Sequence, residues 1–223
     1  MKNRIAFEDK NILIVEKEAG ELVQSGENSD IDLYTKVLDY IKLSNPKKIL
    51  RAKLINRLDR PVGGLVIFTK TEEATKKLSA MVQRRQIIKE YKAWVVGKPD
   101  EDKGQITNHL KKLKSKNMSV VTDDNDKNSK VAILDYEVLE SKNHEIYGEI
   151  SLLNIRLRTG RHHQIRVQLS HMGHPIIGDR KYNNKEKNSP NFIWLWSYHL
   201  KFSHPKKKGW LMFIVNLLLN KQS

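Results

Sequence analysis

The chain contains no cysteine, which excludes disulfides and thiolate metal sites and fits a reducing compartment. Proline and glycine are few, 6 and 11 in 223 residues, so collagen-like and low-complexity compositions are excluded. No apolar run is long enough to cross a bilayer. The longest late one, Leu211 to Leu219, is interrupted by Asn216 and spans half of the roughly 20 residues a membrane helix needs. The first residues, Met1 to Asp9, lack the apolar stretch of a signal peptide. We therefore expect a soluble, cytoplasmic monomer with no membrane partner. Acidic residues are outnumbered, 26 against 41 Lys and Arg, giving a formal charge of +15. That balance suits a polyanionic partner, because each neutralised phosphate releases condensed counterions. A merely soluble basic protein, or a lysine-favouring genome, explains the charge equally well.

With 39% apolar residues the chain can bury a sizeable core, and no interdomain linker interrupts it, so residues 1–223 read as a single domain. Asn11 to Glu16 is a short apolar run followed by a reversal at Gly20, a strand and a turn. Asp32 is placed to cap a helix whose Leu33, Val37, Tyr40 and Ile41 share one face and which ends before Pro46. Gly63-Gly64 leads into the buried-strand run Leu65 to Phe68, so Asp59 stands just before a strand. Thr71 caps the next helix, with Glu72 and Glu73 in its first turn, Ala74, Leu78, Met81 and Val82 on its core face and Arg84 and Arg85 at its end. Ile87 to Val96 alternates with period two, Tyr91, Ala93 and Val95 on one side, Glu90, Lys92 and Trp94 on the other. Asp100 to Lys130 is polar and lysine-rich, a long hairpin or excursion rather than core. Strands follow over Val131 to Glu140 and Glu145 to Leu157. Thr159 is then placed to cap a helix in which Ile165, Leu169 and Met172 share a side, stopped by Gly173 and Pro175. The pattern predicts an α+β fold with a mixed, mainly antiparallel central sheet and flanking helices.

Three features carry chemistry. Asp59 lies between Arg57 and Arg60, whose guanidinium groups favour an ionised carboxylate, as a nucleophile requires. Read locally, a structural ion pair at a turn is the better explanation. Tyr91 is a strand tyrosine, which can be core or can face a pocket to stack on a base or shuttle a proton. Arg158-Thr159-Gly160-Arg161-His162-His163-Gln164-Ile165-Arg166 gathers cations around a helix start, fit for phosphate or for holding a carboxylate, or simply a solvated basic end. His162, His163, His171 and His174 do not make a metal site without cysteine, with only Asp179 near in sequence. Asp124, Asp126, Asn128 and Asp135 imitate a calcium loop but have Ser129 where glycine is required. Asp30-Ile31-Asp32 imitates a phosphatase pair without the preceding apolar strand, and no phosphate-cradling glycine loop is present.

Taken in order, these features resemble the RluA-type pseudouridine synthases, over most of the chain. Asn56-Arg57-Leu58-Asp59-Arg60-Pro61-Val62-Gly63-Gly64-Leu65 resembles the family's aspartate motif, and Lys89-Glu90-Tyr91-Lys92-Ala93-Trp94 its tyrosine motif. Arg158 to Val167, continuing into His171-Met172-Gly173-His174-Pro175-Ile176-Ile177-Gly178-Asp179, is a long block typical of it, and Phe202-Ser203-His204-Pro205 resembles its late motif. Asn56, Glu18 and Ser197 stand where many members have His, Pro and Ala. No S4-like RNA-binding module precedes the catalytic region, so the resemblance is to a stand-alone form. It implies the pseudouridine synthase catalytic fold, RNA as partner (ribosomal or transfer RNA), and no cofactor or metal. It implies Asp59 as the catalytic carboxylate, Arg161 as its pairing cation, and Tyr91 stacking on the uracil and assisting proton removal at C5. Ile165 would wall the pocket and Arg57 would fill the space of a flipped-out base, with Arg60, His163 and Arg166 also binding substrate. An RNA-binding or ribosome-assembly factor with a vestigial site, or a metal-dependent nuclease, are the competing classes.

Overall fold

The computed structural model describes residues 1–25, 32–44, 52–183 and 192–215; Pro46, Asp30, Ile31 and the end of the late apolar run lie outside them. In chain order the elements are a 3-10 turn (Lys2–Arg4), β1 (Ile5–Glu8), β2 (Ile12–Lys17), α1 (Leu33–Ser44), β3 (Lys53–Leu54), β4 (Gly63–Thr69), α2 (Glu72–Gln83), β5 (Ile88–Val96), β6 (Lys103–Leu113), β7 (Met118–Thr122), β8 (Lys130–His144), β9 (Gly148–Leu157), α3 (Gln164–His171), β10 (Leu195–Ser203) and β11 (Trp210–Ile214). Two compact units emerge, Met1–Lys89 with Ser197–Ser223, and Glu90–Trp196. No linker marks the division, which falls within β5.

In the first unit β4 takes β2 and β3 as antiparallel neighbours, β1 pairs with β2, and β10 pairs with β11. The expected caps are present. Asp32 Oδ1 accepts from Thr35 N at 2.7 Å, and Thr71 Oγ1 accepts from Ala74 N. Burial opposes the charge on Asp32, but hydrogen bonds from Ser25 and Thr35 outweigh it and hold the carboxyl down to about 2. Ile12, Ile14, Leu65, Ile67, Ala74, Leu78, Leu200 and Phe202 form the core, and Met81 packs against it. Each buried Ile, Leu or Phe among them contributes about 1.5–3 kcal/mol on leaving water. Val82, expected on this face, is exposed, because the buried stripe of α2 is narrower than the run of apolar residues. His204 ties the end of β10 to the β1–β2 turn. Its Nδ1 accepts from the amides of Lys206 and Lys207, so the ring proton lies on Nε2, which donates to Asp9 Oδ2 at 2.9 Å.

In the second unit the strands run β5–β9–β8–β6–β7, each antiparallel to its neighbour. The polar stretch from residue 100 to 130 thus supplies two regular strands, a hairpin with Lys103 and Lys112 exposed on β6 and Lys111 half-buried between them. The carboxylates of the calcium-loop imitation are taken up by basic groups, Asp126 by Lys111 and Asp135 by Arg158. Trp94, expected on the polar side of β5, is buried, with Trp194 edge-on at 6.4 Å and Lys142 Nζ 4.4 Å above its ring. Helix α3 begins later than expected, at Gln164, and Thr159 is not its cap. Thr159 Oγ1 instead accepts from Ile133 N and donates to Gln164 Oε1, each at 2.8 Å.

Candidate active site

The first unit delivers Asp59 on a tight turn. The chain leaves β3, closes a turn through Val62 N donating to Asp59 O at 3.1 Å, and enters β4 through Gly64. Gly64 has φ +118°, and a Cβ there would collide with the backbone carbonyl of Ser197, so two separate demands require glycine. Asn56 Nδ2 donates to Leu65 O at 3.1 Å and its Oδ1 accepts from Ile67 N at 2.7 Å, extending the β3–β4 ladder with a side chain. The asparagine that departs from the family pattern is therefore engaged by β4.

Lys17, at the end of β2, is completely buried, and its ammonium donates to the carbonyls of Glu18, Glu21 and Arg60 at 2.8, 2.7 and 3.0 Å. Burial drives its pKa down to about 8, with Arg4 and Arg60 adding to the effect and the carboxylates of Glu21 and Asp59 opposing it. Arg60 O also accepts from Gly20 N at 2.9 Å, while Arg60 Nε donates back to Gly20 O at 3.0 Å. The residue following Asp59 is thus held at both backbone and side chain, and Arg57 remains exposed. Sequence reasoning missed Lys17 as a clamp. Its only local signal is a lysine closing a strand that opens on the apolar run Ile12 to Val15.

The second unit carries the other expected residues. Tyr91 is buried on β5 opposite Ile155 of β9. Arg161 precedes α3. Its Nε donates to Val131 O at 2.9 Å and its amide donates to Gln164 Oε1 at 3.0 Å, while its two Nη groups make no hydrogen bond among the described residues. The fork of the guanidinium is thereby anchored at one nitrogen with two left to receive an anion. His163 stands before α3 in the left-handed region, φ 53°, buried, with its Nδ1 2.8 Å from the Tyr182 hydroxyl. Burial, reinforced by Arg166, His162 and Lys181 against the opposing Asp179, drives its pKa down to about 3, so the ring is neutral. Ile165 is buried. Arg166, expected to touch substrate, is buried too, and both prongs of its guanidinium meet Asp179 at 2.7 Å. This pairing ties α3 to the segment that follows it.

The helix itself is buried over Gln164 to Leu169 on all sides, so its polar members need internal partners. Gln164 bridges Thr159, Arg161 N and Ile133 O, and Gln168 Nε2 donates to Asn108 Oδ1 at 2.9 Å. The basic helix start is thus not a solvated end. Ser119, Tyr182 and Asp179 hold this segment and were not assigned that part from sequence, since nothing in the spacing links them to it.

The family described as RNA pseudouridylate synthase matches residues 11–171. A protein of Aquifex aeolicus called an uncharacterized RNA pseudouridine synthase is 34% identical over 94% of this chain and 67% of its own. The ribosomal large subunit pseudouridine synthase C of Rickettsia felis is 33% identical over 82% of this chain and 56% of its own. The chain thus spans about half to two thirds of these curated relatives. Among solved structures, human RNA pseudouridylate synthase domain containing 1 superposes with TM-score 0.79 at 20% identity, covering 97% of this chain and 85% of that one. That likeness bears on the fold.

Proposed function

Because the chain belongs to the RNA pseudouridylate synthase family, we propose that it isomerises uridine to pseudouridine within ribosomal or transfer RNA, with Asp59 as its catalytic carboxylate. The observation that carries this reading furthest is the family match over 11–171, which includes the Asp59, Tyr91 and Arg161 motifs. The reaction breaks the bond from ribose C1′ to uracil N1, turns the base and rejoins it through C5. The proton leaves C5 and N1 gains one, so no electron donor or phosphoryl donor is consumed.

In this reading the target uridine is flipped out of its stack, at about a few kcal/mol, because C1′ and C5 are inaccessible inside one. Asp59 acts at the ribose or base, as nucleophile or proton abstractor, to break the bond from C1′ to N1. Its rigid turn supports that role, since Lys17 and Gly20 fix the adjacent Arg60 and leave little reorganisation for the moment of reaction. Tyr91 stacks on the uracil and assists at C5, Arg161 offers its Nη pair to negative charge, and Ile165 contributes apolar wall. Arg57 and Arg60 bind the RNA strand, while His163 and Arg166 support the basic segment from within. A transcriptome-wide map of pseudouridine with and without the gene tests both reaction and address. Loss of one or a few sites in ribosomal or transfer RNA is the expected result, and identical maps contradict it.

A further inference from the structure

Arg161 is held by more than its own hydrogen bonds. One strand residue and one loop residue, both distant in sequence, grip the two histidines that follow it. Ser119, on β7 and buried, donates its amide to the Tyr182 hydroxyl at 2.7 Å. Its own hydroxyl donates to His162 O at 2.7 Å and lies 3.0 Å from His162 Nδ1. The Tyr182 hydroxyl in turn lies 2.8 Å from His163 Nδ1, with the two rings edge to face at 5.6 Å. His162 and His163 stack on each other at 3.8 Å.

This matters because His163 has positive φ, a backbone state that a residue with a Cβ occupies only when its surroundings over-determine it. That residue turns the chain into α3 and thereby sets where Arg161, two positions earlier, leaves the backbone. Relaxing His163 to an ordinary φ would swing the 161–163 segment, and Arg161 Nε could no longer reach Val131 O in the same geometry. We infer that Ser119 and Tyr182 are positioning residues that hold His162 and His163 in this turn and so aim the Arg161 guanidinium. The inference rests on the reading above that Arg161 serves the reaction. Tyr182 is itself firmly seated, since its amide donates to Asp179 O at 3.2 Å, its carbonyl accepts from Ser170 Oγ at 2.6 Å, and Arg166 lies 5.1 Å over its ring. The grip spans β7, α3 and the loop after Asp179, so it forms only in the folded unit.

The test compares Tyr182→Phe and Ser119→Ala with wild type on RNA labelled with tritium at uridine C5 and purified from cells lacking the gene. Tyr182→Phe keeps the ring under Arg166 and removes only the hydroxyl. A misplaced catalytic group slows turnover by roughly tenfold to a hundredfold, so kcat should fall by that factor while KM for the RNA stays the same. Tyr182→Phe should add little to the loss already caused by Arg161→Lys, because both act through one group. Ser119→Ala should show the same pattern and decides the matter if Tyr182→Phe does not fold. Full kcat in a folded variant, a change confined to KM, or additive losses with Arg161→Lys overturns the inference alone. A wild-type protein that releases no tritium overturns the underlying reading, and this assignment with it.

Discussion

Arg166 and Asp179 meet in a two-pronged ion pair, Nε to Oδ2 and Nη2 to Oδ1, each at 2.7 Å, with the carboxylate wholly shielded from solvent. Such a pair adds little over an apolar substitute, because desolvation offsets attraction, but removing the carboxylate takes away the charge that compensates the burial of the guanidinium. Asp179→Asn should therefore lower unfolding stability by about 3–5 kcal/mol in urea titrations. Asp179→Leu combined with Arg166→Met should recover most of that loss, and a double variant as unstable as the single one would contradict the account.

His163 supplies a pH dependence with a definite sign. Its ring has a pKa of about 3 when folded against 6.5 as the ordinary value, so between those values the unfolded chain holds a proton that the folded one does not. Its contribution is complete above pH 6.5 and is lost as the pH falls toward 3. Asp32, held down to about 2, works in the same direction at more acidic pH. His163→Asn keeps a residue tolerant of positive φ and removes the titration. Denaturant midpoints measured from pH 7 to 4 should fall less steeply for that variant than for wild type, and parallel slopes would exclude His163 as the source.

Ser197 gives a prediction of the opposite sign. Its hydroxyl is buried at the start of the first unit's share of β10 and has no hydrogen-bond partner among the described residues. Removing an unsatisfied buried polar atom is neutral or stabilising, so Ser197→Ala should leave the thermal midpoint unchanged or raise it, by about 1 kcal/mol equivalent at most. A clear fall would mean that the hydroxyl is engaged.

What the sequence made legible was local. Asp32 and Thr71 cap the helices they precede, because a cap binds amides two or three residues away and that spacing is written in the chain. The alternation of β5 put Tyr91 and Ala93 on the buried face for the same reason. The motifs were readable by their order. The supports of the candidate site were not: Lys17 reaches Arg60 across 43 positions, Ser119 reaches His162 across 43, and His163 reaches Tyr182 across 19. Trp94 and Arg166 show the same limit. Their burial depends on Trp194, Lys142 and Asp179, partners that periodicity cannot supply.

The central claim is that Asp59 carries the chemistry, and Asp59→Asn tests it most directly. The amide keeps the size of the carboxylate and leaves the Lys17 clamp on Arg60 in place, so the variant should fold and bind RNA as wild type does. Incubated with RNA tritiated at uridine C5, wild type should release tritium to water as each pseudouridine forms, and Asp59→Asn should release none above background. Tritium release by the variant at the wild-type rate would contradict the account.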